Sequence, residues 1–147
     1  MNKLAPGGNV YQASTFAGNP ISVTAAINSI KTINKIKNKL YAKLERNCQL
    51  LVDEIDDLAT DYRIPHQINS IASMFQIFFS NKQVTDYKTS KKADGKKFNK
   101  LFSNLLKNGV FIAPSQFETV FLSDAHTDAD ITKTLGVYGL SLKAVKH

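Results

Sequence analysis

Leu40, Leu44, Cys48, Leu51, Ile55 and Leu58 recur at steps of three and four, the spacing that gathers side chains into one stripe of an α-helix. A stripe of about five turns needs an apolar layer opposite it, and the rest of the chain has to supply one. The same spacing turns Cys48 toward that layer. It is the only cysteine, so no intramolecular disulfide is possible, and with three scattered histidines it makes no spaced metal motif. A packed thiol is the expected role. Asp53, Glu54, Asp56, Asp57 and Asp61 fall on the remaining faces, with no interleaved glycine to suggest a calcium loop.

Upstream of the stripe, Asn19 suits an N-cap and Pro20 a first helical position, so the spacing predicts a first helix from there to about Thr32, with Ile27 and Ile30 on its packing side. The second helix begins after Asn34. Beyond Pro65 the texture changes to strands: "SIASMFQIFFS", then "GVFIAP" and "TVFLS". Between them "KKFNKLFSNLLKNG" sets Phe98, Leu101, Phe102, Leu105 and Leu106 at helical spacing and stops at Gly109, a natural C′ residue. Thr127 with Asp130 forms a carboxylate version of the capping box and opens a terminal helix. Gly136 and Gly139 weaken that helix, which is expected to bend or end early, with disorder after Leu140.

The predicted order is helix, helix, strand, helix, strand, strand, helix. This is an α+β arrangement with a small antiparallel-type sheet packed against helices. A single domain over 1–147 is expected, comprising an entry loop (1–19), long helices (20–60) and a small sheet with helices (65–147).

At 147 residues and 43% hydrophobic the chain is large enough for a core of its own. It has neither a leader-like apolar run nor an apolar stretch of membrane-spanning length, which predicts a cytoplasmic protein. The formal charge of +7 is concentrated in residues 82–107, where eight lysines face only Asp86 and Asp94. No arginine lies there to fork onto a phosphate or a guanine. A solvated surface is the favoured reading and nucleic-acid binding the alternative.

"VYQASTFAGNP" at the start of the chain, read by itself, is a helix-capping loop of small and hydroxyl-bearing residues. It also resembles the "VYQAGTxxGNP" segment of the glutamate-1-semialdehyde 2,1-aminomutase family, within the class-III aminotransferases. "GVFIAPSQFETVFLSDAHTDADITKTL" is similar to that family's C-terminal strand pair and last helix, and "SMFQIFF" and "VTDY" match between them. The resemblance implies the C-terminal small domain of a fold-type I enzyme that uses pyridoxal 5′-phosphate. That family converts glutamate 1-semialdehyde to 5-aminolevulinate in tetrapyrrole synthesis, as a homodimer.

By the same resemblance Thr15 corresponds to a threonine that reaches the cofactor phosphate of the neighbouring subunit. Ser14 stands where the family has glycine, Tyr11 and Gln12 support the loop, and Glu118 lies near the substrate. A hydroxyl on a loop of small residues approaches a phosphate closely without adding charge, though a positive φ at Ser14 would be costly. Glu118 in place of an arginine disfavours an α-carboxylate and leaves room for an aldehyde. Ser115 and Gln116 share its turn and are candidates to orient its carboxylate. His126, beside a helix cap, reads as structural; His66 and His147 carry no motif.

The family's cofactor-bearing lysine lies upstream of the matching segment. The chain is therefore expected to be the C-terminal portion of such an enzyme and inactive alone. A non-catalytic dimerising or regulatory fragment is the second reading, and a basic nucleic-acid-binding module the third.

Overall fold

The computed structural model describes residues 2–146. They fall into two compact units that divide between Lys37 and Asn38. In the first, an isolated parallel bridge joins Leu4 to Val10, with Ala5 N–H donating to Val10 O at 2.9 Å. The loop that follows leads into helix α1 (Pro20–Asp61), 42 residues without interruption. The predicted break between Thr32 and Asn34 is not there. No glycine or proline occurs from Ile21 to Asp61, and residues such as Thr, Ile and Asn cost only about 0.7 kcal/mol or less against alanine, too little to stop a helix. Ile27 and Ile30, expected on a packing side, are exposed.

In the second unit, α1 presents the stripe as expected: Cys48, Leu51 and Ile55 are buried and Leu44 and Leu58 are half-buried. Burying a side chain such as Ile55 or Leu51 contributes about 1.5–3 kcal/mol. The helix ends in a Schellman motif, with Arg63 N–H donating to Thr60 O at 2.8 Å and Ile64 N–H to Ala59 O at 2.9 Å. Arg63 occupies the left-handed position, with φ 55°.

"SIASMFQIFFS" does not make one strand but most of a hairpin. β1 (Gln67–Ile71) and β2 (Met74–Phe78) pair antiparallel, from Gln67↔Phe78 to Ile71↔Met74. Ala72, with φ 52°, turns the chain where a glycine or asparagine would have announced the hairpin. A four-residue helix α2 (Tyr87–Ser90) follows, closed by a capping box between Asp86 and Thr89. This turn of helix is absent from the predicted order. Helix α3 (Gly95–Lys107) is capped by Asp94, whose carboxylate accepts from Lys96 and Lys97 N–H at 3.0 and 3.1 Å. It ends in a Schellman motif at the predicted C′ residue, Gly109, with φ 81°.

"GVFIAP" is not a strand either. Ile112 is buried, but the segment joins no ladder, and the third strand is only β3 (Val120–Phe121) from "TVFLS". It pairs with β2 through Phe75↔Val120 and Met74↔Phe121, completing an antiparallel sheet of order β1-β2-β3. Helix α4 (Asp128–Val145) starts at the expected box: Asp130 N–H donates to Thr127 Oγ1 at 3.2 Å and Thr127 N–H to Asp130 Oδ2 at 2.8 Å.

The expectations of an early end to α4 and of disorder after Leu140 do not hold. Tyr138, Ser141, Leu142 and Val145 are buried beyond or beside the glycines, and that burial outweighs about 1 kcal/mol per glycine. The core thus joins Leu51 and Ile55 of α1, Phe75 and Ile77 of β2, Phe98, Leu101 and Leu105 of α3, and Tyr138 and Leu142 of α4. Among the described residues no helix is long and apolar enough to cross a membrane.

Candidate functional site

The entry loop belongs to the first unit. Ala17 N–H donates to Ser14 O at 3.0 Å and Asn19 N–H to Phe16 O at 3.1 Å, while Gly18 takes φ 76° to bring the chain to the helix. Asn19 then caps α1 as predicted, its Oδ1 accepting from Ser22 N–H at 3.1 Å. Ser14 Oγ accepts a long bond from Phe16 N–H at 3.4 Å. Ser14 does not adopt a positive φ, for among the described non-glycine residues only Arg63 and Ala72 do. The strain anticipated at this serine is therefore not incurred. Thr15 is exposed, and its hydroxyl has no hydrogen bond among the described residues; Tyr11 and Gln12 are exposed as well. Such a loop offers a phosphate a hydroxyl donor and small neighbours, with no fixed charge.

Glu118 belongs to the second unit, at the end of a tight turn in which its N–H donates to Ser115 O at 3.0 Å. Its carboxylate is exposed and forms no ion pair or hydrogen bond among the described residues. Ser115 and Gln116 do not hold it. Ser115 Oγ accepts from Phe117 N–H at 3.2 Å, and Gln116 turns inward, its Nε2 donating to Ser90 O at 3.3 Å. Gln76 of β2, which sequence reading passed over, donates from Nε2 to Gln116 O at 3.1 Å. A glutamine inside the apolar run "MFQIFF" was the available signal. Gln76 and Gln116 both line a cleft of about 290 Å³ beside the turn, with Asn69, Met74, Phe117 and Thr119.

Neither arginine serves the Glu118 turn: Arg46 pairs with Asp128 at 3.4 Å, and Arg63 ends α1. His126 takes the structural place expected for it, Nδ1 accepting from Ser123 N–H at 3.0 Å in the turn before Thr127. His66 bridges Ile64 O, 2.8 Å from Nδ1, and Asp56 Oδ1, 3.0 Å from Nε2. The lysines of 82–107 are exposed except the half-buried Lys97, and none forms an ion pair among the described residues. Lys82, Lys92 and Lys97 line a second cleft of about 450 Å³ together with Asp94. No group of His, Cys, Asp and Glu among the described residues has the arrangement of a metal site.

The sequence pattern of the class-III aminotransferases matches residues 1–136. The chain is 71% identical over all of its 147 residues to a glutamate-1-semialdehyde 2,1-aminomutase of Nitrosopumilus maritimus, of which it covers 35%. It thus spans about a third of the length of the curated relatives it matches. Among solved structures, an omega-transaminase from Sphaerobacter thermophilus superposes with a TM-score of 0.76 at 16% identity, over 97% of this chain and 33% of the other. The FumI protein of Sphingopyxis sp. MTA144, in its PLP internal aldimine form, gives 0.74 at 23% identity, over 93% and 30%. The α+β fold described above is that of the matching part of fold-type I PLP transaminases.

Proposed function

The chain belongs to the class-III aminotransferase family, and from that premise we propose that it forms the C-terminal part of a glutamate-1-semialdehyde 2,1-aminomutase. The complete enzyme converts glutamate 1-semialdehyde to 5-aminolevulinate for tetrapyrrole synthesis. The observation that carries this reading is the 71% identity to such an enzyme along the whole chain. The assembly is a cytoplasmic homodimer, and the cofactor is pyridoxal 5′-phosphate.

The residues present suit that cofactor at its phosphate end. The Thr15 hydroxyl is exposed and without a partner among the described residues, and Ser14 keeps its backbone N–H in an unstrained loop. Each hydrogen bond they donate is worth about 1 kcal/mol net, which orients a phosphate but does not retain a cofactor by itself. When bound, the cofactor supplies the electron sink for moving an amino group between adjacent carbons. Glu118 takes the substrate side: its free carboxylate repels a substrate carboxylate and favours an aldehyde-terminated molecule in the opposite sense from an arginine fork.

On this reading the chain alone turns over no substrate, because the lysine that holds the cofactor and moves the proton is supplied by the remainder of the enzyme. The test is to mix the purified chain with pyridoxal phosphate, reduce with borohydride, map labelled lysines and assay 5-aminolevulinate. Scattered labelling without product is expected, with activity once the remaining segment is supplied. One stoichiometrically labelled lysine together with turnover by the chain alone would overturn it.

A further inference from the structure

We infer that Gln76 and Gln116 are positioning residues that set the Glu118 turn on the sheet, an inference that rests on the substrate role proposed above for Glu118. Gln116 is 8% and Gln76 6% exposed, so these are two buried primary amides beside the turn that carries Glu118. Their bonds join distant segments: Gln76 Nε2 donates to the Gln116 carbonyl across 40 residues of sequence, and Gln116 Nε2 donates to the Ser90 carbonyl across 26. The turn is thereby tied at one residue to β2 on one side and to the end of α2 on the other. Ser90 is itself fixed, its Oγ donating to Tyr87 O at 3.0 Å. The Tyr87 ring also stands 5.7 Å from that of Phe117, the residue between Gln116 and Glu118.

Two further facts argue that the clasp serves placement rather than stability. Gln76 Oε1 and Gln116 Oε1 are both buried without a hydrogen-bond partner among the described residues, so each amide donates usefully while its acceptor is left unsatisfied. An apolar residue of the same volume would remove the unsatisfied acceptor at its own position, but it would leave a carbonyl unpaired and would not fix the turn in register with the strand. Moreover, neither amide touches the Glu118 carboxylate; they act through the main chain, two residues away from it.

The experiment is a double-mutant cycle in the complete enzyme that contains this chain, using Gln76→Met and Glu118→Gln. Gln76→Met keeps the volume and removes the donor. It is expected to lower kcat/KM for the semialdehyde roughly tenfold with little change in melting temperature, because the acceptor orphaned at Gln116 O offsets the unsatisfied Oε1 that is removed. In the Glu118→Gln background the same substitution is expected to cost nothing more, because the carboxylate it places is already gone. A merely structural role would instead multiply the two losses, and that outcome overturns the clasp, as does a Gln76→Met enzyme with full kcat/KM. Gln116→Met repeats the cycle from the other partner should Gln76→Met fail to fold. An unimpaired Glu118→Gln enzyme removes both Glu118 and its clasp, whereas product formation by the unmodified enzyme judges the aminomutase reading independently.

Discussion

Ile64 N–H reaches back to Ala59 O at 2.9 Å over Arg63, which is held at φ 55°. α3 closes in the same way, Val110 N–H donating to Leu105 O at 2.9 Å, but over Gly109. A side chain in this conformation costs about 1–2 kcal/mol that glycine does not incur, partly offset by glycine's greater freedom when unfolded. Arg63→Gly is therefore expected to stabilise the chain by about 0.5–1 kcal/mol. A urea midpoint that falls would contradict the assignment of this cap.

Tyr138 is 1% exposed, and its hydroxyl has no hydrogen-bond partner among the described residues. Burial drives the phenol's pKa well above its ordinary value of 10.0. The ring contributes packing while the hydroxyl contributes an unsatisfied donor, so Tyr138→Phe should raise stability by about 1 kcal/mol. Loss of stability on thermal melting would mean that the hydroxyl is bonded in solution.

Two capping carboxylates are held below their ordinary value by the bonds they accept. Asp130 is held below the ordinary value of 3.8 chiefly by its side-chain bond from Thr127, and Asp86 chiefly by the Thr89 N–H. With the folded pKa depressed, the contribution of each is complete above its unfolded value and is lost as pH falls through the folded one. Asp130→Asn should be less stable than the parent above pH 3.8, and the difference should close below it. A difference that stays constant through the acid range, followed by circular dichroism, would dissociate the cap from the titration.

Thr15→Val keeps the loop's shape and removes one hydroxyl. In the complete enzyme it is expected to weaken cofactor retention about fivefold, the equivalent of one hydrogen bond of about 1 kcal/mol, without a change in the melting temperature of the cofactor-free protein. Absorbance titration with pyridoxal phosphate reads this directly. Unaltered affinity would take Thr15 out of the cofactor site.

Ile21 is 80%, Ile27 46% and Ile30 59% exposed on the first part of α1. The isolated chain should therefore self-associate as its concentration rises. Replacing these isoleucines with glutamine should restore a monomer by light scattering. A parent that stays monomeric across the range would show that these residues do not drive association.

The helices were legible where a stripe accompanied the cap: Asn19, Gly109, and Thr127 with Asp130 all stand where their chemistry places them, whereas α2, a single turn with a capping box at Asp86 and Thr89 and no stripe, was not. The strands were less so, because β1 and β2 are joined at Ala72 with neither Asn-Gly nor Asp-Gly, and "GVFIAP" is β-rich yet unpaired. Propensity does not distinguish an extended segment from a ladder; partners do. At the Glu118 turn the acid is singled out only by the resemblance, and the amides beside it depend on bonds across 26 and 40 residues, which no local pattern encodes.

Cys48 is the only thiol of the chain, 1% exposed, with burial raising its pKa. An alkylating reagent must therefore wait for the core around α1 to part before it can react. The speed at which the thiol is consumed is thus a clock for that opening. It is already wound into the native sequence, with no label to introduce and no second cysteine to blur the reading.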